Sequence, residues 1–238
     1  MKSSRFFLIL SIFLVSLNTI NKTALAGDDP RELIRALNLR MQQIKDYQAK
    51  VHMQFRIPGV KMKDMYGKVY FKQPDKFRIK AKGIFFLPKQ NPMQQVGSLL
   101  QDTASYTTVI SGYEVIEGKK CAIVNIIPIK NDQELILGKF WIDVLNPLIY
   151  KSQITTRNNG TLETQNTYGN YLKFGLPDQI LIKVEVNKIK VPKMMAVDLN
   201  KKSSPDKAVD GKEPGWIQLT FSSYQMNTSF PDSEFNKD

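Results

Sequence analysis

Between Tyr66 and Ile79 apolar and polar residues alternate one by one. Val69 and Phe71 are interleaved with Lys68, Tyr70 and Lys72, and beyond a Gln73-Pro74-Asp75 turn Phe77 and Ile79 are interleaved with Lys76, Arg78 and Lys80. A period of two predicts strands with one oily and one wet face, and Pro74 breaks the ladder between them. Upstream, Val51, Met53 and Phe55 alternate with Lys50, His52, Gln54 and Arg56 until Pro58-Gly59. This is a further strand, with His52 on its polar side.

The alternation continues downstream. Tyr106 to Ile116 turns at Glu117-Gly118 into Lys120 to Ile129; Glu134 to Val144, Leu148 to Thr156, Thr161 to Tyr168 and Gln179 to Val191 follow, with Asn159-Gly160 as a hairpin signal. Trp216 to Met226 closes the series, setting Ile217, Leu219 and Phe221 against Gln218, Thr220 and Ser222, and the tail after Asn227 is polar. Strands at such short intervals predict a strongly curled antiparallel sheet or barrel.

Two stretches follow a helical period instead. Asp28-Asp29-Pro30 is a helix start, and Leu33, Leu37, Met41 and Ile44 form one stripe over about four turns. Between Gly83 and Gln101, Ile84, Phe85, Phe86 and Leu87 make an apolar knot, followed by Met93, Val96 and Leu100 at helical spacing. That segment reads either as a crossover helix packed in the core or as a movable lid hinged at its prolines and glycines. Residues 192 to 214, rich in Lys, Asp and Ser, read as a flexible loop inserted in the last hairpin. The expected class is α+β.

Composition narrows the setting. Lys2 and Arg5, the apolar run Phe6 to Leu17 and Ala24-Leu25-Ala26 have the layout of a secretory signal cleaved after Ala26, in a chain of 238 residues. The run falls short of the roughly 20 apolar residues that span a bilayer, and Gly27 rather than cysteine follows the cut. Residues 27 to 238 are read as one exported, soluble domain, monomeric in solution. Loss of Lys2, Arg5 and Lys22 with the signal lowers the formal charge from +12 to +9. The excess reads as a solvated lysine face, with attraction to anionic head groups or an acidic partner as the functional alternative.

Chemistry is sparse. Cys121 and His52 are each the single residue of their type, so no metal site is expected and Cys121 reads as a buried hydrophobe. No nucleophile elbow, phosphate loop or dinucleotide fingerprint occurs, and no clustered Arg-aromatic motif suggests nucleic acid. No enzyme activity, cofactor or catalytic residue is expected.

Asp46-Tyr47-Gln48-Ala49 opening a strand, Gly67 before Val69-Tyr70-Phe71, Pro74-Asp75-Lys76-Phe77-Arg78, Phe140-Trp141-Ile142-Asp143, Gly175-Leu176-Pro177-Asp178 and Phe221 to Asn227 occur in that order. Together with the signal and the first helix, they resemble the LolA/LolB lipoprotein-carrier family over nearly the whole exported chain. The resemblance implies an unclosed β-barrel with helices covering its concave face and a cavity that shields lipoprotein acyl chains crossing the periplasm. It also implies transient contact with an inner-membrane donor and an outer-membrane acceptor.

On that reading the cavity is lined by Val51, Met53, Phe55, Val69, Phe71, Phe77, Ile79, Phe140, Ile142, Ile180 and Ile182. The lid comprises Ile84, Phe85, Phe86, Leu87, Met93, Val96 and Leu100, and Gln73-Pro74 is the gating turn. Family carriers usually have arginine where this chain has Gln73. An RseB-like envelope-stress sensor built on the same half-barrel, and an interaction module with a filled core, are the competing readings.

Overall fold

The computed structural model describes residues 29–58, 62–82, 100–130, 135–157, 160–184 and 214–235. The expected signal, residues 192–213 of the expected loop 192–214, and the expected lid residues Ile84, Phe85, Phe86, Leu87, Met93 and Val96 lie outside them.

Helix α1 spans Pro30–Gln42, with Asp29 accepting a hydrogen bond from the Arg31 amide at 2.8 Å. That bond satisfies one of the donors a helix leaves open at its start, and Pro30 begins the first turn. The buried stripe is Leu33, Ile34 and Leu37. This departs from the expected Leu33-Leu37-Met41-Ile44 line: Met41 is 38 % exposed, and Ile44 lies past the helix end in a different cluster. The helix stops at Gln42 because the chain must turn into the first strand, so the stripe loses its last turn.

Among the described residues ten strands follow: β1 (Asp46–Arg56), β2 (Met65–Lys72), β3 (Lys76–Ala81), β4 (Tyr106–Ile116), β5 (Lys119–Pro128), β6 (Leu135–Asp143), β7 (Ile149–Thr156), β8 (Gly160–Thr167), β9 (Gln179–Val184) and β10 (Gly215–Met226). They form one antiparallel sheet in the order β3-β2-β1-β10-β9-β8-β7-β6-β5-β4, with β3 and β4 as its two ends. The sheet is therefore not closed. Glu117 and Gly118 both take positive φ, 49° and 72°, which matches the right-handed twist of the strands that this tight hairpin joins.

The last strand does not sit at an end. β10 pairs with β1 on one side, from Tyr47–Met226 to Arg56–Trp216, and with β9 on the other. Gly67 lets β2 and β3 approach, since a Cβ there would stand 2.5 Å from the Lys80 carbonyl oxygen.

The polar tail is not a free end. Asn227 to Phe235 runs back over the face of the sheet opposite the main apolar cluster. The buried Asp46 carboxylate accepts from the amides of Thr228 at 2.8 Å and Ser229 at 3.2 Å. The Phe230 ring meets Tyr70 edge-on at 5.5 Å. Tyr70, expected on the wet side, is consequently only 5 % exposed.

Candidate functional site

One face of the sheet carries a row of mutually paired residues that crosses eight strands: Phe55, Ile217, Ile182, Thr164, Ser152, Phe140, Val124 and Ile110, from β1 through β10 to β4. Directly opposed residues of paired strands share a face, so the apolar positions of all these strands point the same way. At mid-row the side chains are small and hydroxylated. Ser152 and Thr164 are buried and satisfy each other through a 2.7 Å hydrogen bond, which removes the cost of placing them among hydrocarbon.

Two apolar clusters lie on either side of this pair, and they approach one another at Ile154 of the second, which stands opposite Leu162 packed against the first. The larger contains Val51, Met53, Phe55, Val69, Ile180 and Ile182, all buried, together with Ile217, Leu219 and Phe221. Phe71, Phe77 and Ile79 pack against it and are only half-buried. Phe140 and Ile142 belong to the second cluster, with Ala122, Val124 and Ile126 and the helix residues Leu33, Ile34 and Leu37. Nine of the eleven candidate lining residues thus stand together, and the remaining two are across the hydroxyl strip.

Leu100 belongs to the second cluster and is fully buried. Its carbonyl accepts from Asn38 Nδ2 at 2.6 Å and from the Tyr106 hydroxyl at 3.1 Å. Those bonds tie Leu100, the one predicted lid residue among the described residues, to α1 and β4.

At one end of the larger cluster the apolar surface becomes aromatic. Tyr47 stacks on Phe71 at 5.1 Å and meets Tyr224 at 5.4 Å, and Tyr224 meets Tyr171 at 4.6 Å. The Tyr224 hydroxyl donates to the Pro177 carbonyl at 2.8 Å. Burial pushes the Tyr47 and Tyr224 phenols well above their ordinary range, so both stay neutral. Tyr47, Tyr224, Leu219 and Phe221 were absent from the sequence-based lining, although the alternation Ile217-Leu219-Phe221 already carried the signal for the last two.

The candidate gating turn is tied to the helix. The Gln73 side-chain amide donates to the carbonyls of Ile44 at 2.8 Å and Met41 at 3.2 Å, and its backbone amide donates to Lys45 at 2.8 Å. The Gln73-Pro74 peptide bond is cis. The Met41 carbonyl in the last turn of α1 already accepts from the Ile44 amide at 3.3 Å, and Gln73 adds a second donor to it. The β2–β3 hairpin and the helix are coupled through that side chain.

His52 stacks on Tyr66 at 4.5 Å and shares Asp64 with Gln54 and Arg56 on the opposite face, where the Gln54 hydrogen bond is the largest influence lowering the Asp64 carboxyl. Cys121 is buried, and desolvation, with Asp143 and Glu114 nearby, pushes its thiol up to about 12. Among the described residues no three His, Cys, Asp or Glu side chains gather where a metal could bind, and no helix is long and apolar enough to cross a membrane.

No family model and no curated protein matches the chain. Solved structures do. A DUF1329 family protein from Desulfovibrio piger superposes with a TM-score of 0.52 at 13% identity, over 87% of this chain and 98% of that one. A protein described as an outer membrane lipoprotein-sorting domain, from Vibrio parahaemolyticus, gives 0.53 at 10% identity, over 87% and 97%. A LolA superfamily protein from Nitrosomonas europaea gives 0.51 at 13% identity, over 86% and 97%. The chain has a LolA-like fold.

Proposed function

We propose that this LolA-like chain is a periplasmic carrier that shelters the acyl chains of a lipoprotein or another envelope lipid against the apolar face of its sheet, between the inner and the outer membrane. It acts by binding and release, without catalysis. The observation that carries the reading is the gradient of exposure within the larger cluster. Val51, Met53 and Val69 are sealed, while Phe71, Phe77 and Ile79, on the hairpin at the open end of the sheet, keep part of their surface accessible. The partly accessible rings of Phe71 and Phe77 on this face leave hydrocarbon surface that an acyl chain can cover.

Each methylene withdrawn from water contributes about 0.8 kcal/mol, so an acyl chain laid on this face binds without polar recognition. Release requires that the cover move; in this reading the lid is the segment from Gly83 to Gln101, of which 83–99 lie outside the described residues, with α1 as the second cover. Gln73, which links the hairpin to the end of α1, is where opening would be felt.

Native mass spectrometry of the exported chain after extraction in mild detergent tests the proposal. Copurified acylated protein or lipid is the expected result. A stable complex with a membrane-anchored regulator and no lipid would replace the carrier with a sensor, and an empty protein that takes up no fluorescent fatty acid would abolish both.

A further inference from the structure

The opposite face of the same hairpin is cationic in a way that folding does not require. Lys50 on β1, Lys68 on β2 and Lys80 on β3 are direct neighbours across three strands, Lys72 opposes Lys76, and Arg78 opposes Tyr70. Like charges set directly opposite one another destabilise a sheet. Lysine on an outermost strand discourages unwanted pairing, and that accounts for Lys76 and Lys80 on β3. It does not account for Lys50 and Lys68, which occupy strands with a neighbour on each side.

The chain covers part of this patch with its own carboxylates. Asp232 sits between two lysines, one oxygen 2.6 Å from Lys72 and the other 2.6 Å from Lys76, and Glu234 lies 2.8 Å from Lys80. Arg78 donates to the Phe235 carbonyl at 2.9 Å. An acid group held through both oxygens by two ammonium groups occupies the place a phosphodiester would take. Asp46 is committed to the tail amides, and the β10 residue opposite Lys50 is the neutral Ser222. Within this patch six cations face two tail carboxylates, with Lys68 close enough to help depress Glu234; Asp64, farther along the same face, is engaged by His52, Gln54 and Arg56, and Lys50 and Lys68 remain exposed.

We propose that this face of β1–β3 is a docking surface for an anionic phospholipid bilayer, with Asp232 and Glu234 as internal competitors for the same lysines. Five of the six cations are lysines, compact point charges on flexible stems. These suit a diffuse layer of head-group phosphates better than the fixed two-pronged recognition of a single acidic group, which arginine serves. The half-buried rings of Phe71 and Phe77 lie on the other side of the same hairpin, so docking here would bring the open end of the sheet to the membrane. The docking surface shares no side chain with the apolar face and does not require that face to hold a lipid.

Cosedimentation of the full exported chain with vesicles tests this, read as vesicle association and not as lipid uptake. Phosphatidylcholine vesicles containing phosphatidylglycerol should bind the chain at low ionic strength and release it as salt rises, and pure phosphatidylcholine should not bind it. Lys50→Gln/Lys68→Gln should weaken the partition by about 25-fold, at about fivefold per lysine, while Lys119→Gln/Lys130→Gln, with the same change in net charge, should leave it intact. Asp232→Asn/Glu234→Gln should strengthen it severalfold. Circular dichroism melts verify that each variant folds. Absence of binding to the anionic vesicles, an equal loss in the Lys119/Lys130 variant, or no gain in the Asp232/Glu234 variant would overturn the proposal.

Discussion

Replacing Gln73 with alanine removes two hydrogen bonds that join the β2–β3 hairpin to the last turn of α1, at Met41, and to the turn just beyond it, at Ile44, and leaves the backbone bond to Lys45 in place. The bond to Ile44 is partly buried and short, at 2.8 Å, and should be worth about 1 kcal/mol. The bond to Met41, exposed and 3.2 Å long, should be worth about half that. The expected loss is about 1.5 kcal/mol, which at about 2 kcal/mol per molar urea moves the midpoint down by about 0.75 M. Gln73→Arg should instead hold or raise the midpoint, because a cation at a helix C-terminus contributes about 0.3–1 kcal/mol. If the coupling also governs access to the apolar face, Gln73→Ala should speed both uptake and loss of a fluorescent fatty acid, and Gln73→Arg should slow them. An unchanged urea midpoint for Gln73→Ala would refute the structural step. A normal midpoint shift with unchanged exchange rates would refute the gating step alone.

Met53 is sealed, so Met53→Ala should cost about 2–5 kcal/mol. Phe77→Ala, at the half-buried rim, should cost less stability but more fatty-acid affinity, and the reverse ranking in parallel urea and lipid titrations would show that Phe77 is ordinary core. The Asp232 carboxyl is held down to about 2 by hydrogen bonds from Lys72 and Lys76, with desolvation opposing them. Because its folded value is depressed, its contribution to tail docking is complete above the ordinary 3.8 and is lost as pH falls from there through about 2; a carboxyl carbon titration by NMR with its midpoint near 3.8 would contradict these ion pairs. Cys121, buried and with its thiol raised to about 12, should resist thiol reagents in native buffer and react only on unfolding, so rapid stoichiometric labelling of the folded chain would count against its burial.

Alternation determined much of this molecule by itself. A period of two is set by the pleat of a single strand, so Val51, Met53, Phe55, Val69 and Phe71 could be assigned to one face, and Lys50 and Lys68 to the other, with no knowledge of their neighbours. Glu117-Gly118 fixed its hairpin in the same local way. What pairs with what was a matter for the tertiary structure. The insertion of Gly215–Met226 between β1 and β9 joins segments more than a hundred residues apart, and no local pattern encodes such a pairing. It set Ile217, Leu219 and Phe221 beside the predicted lining, while Phe140 and Ile142 joined a second cluster beyond Ser152 and Thr164. The burial of Tyr70 under Phe230 and the bond from Gln73 to the last turn of α1 likewise depend on groups that meet only after the chain has folded, because side-chain contacts follow spatial neighbours whereas alternation records only the chain's own pleat.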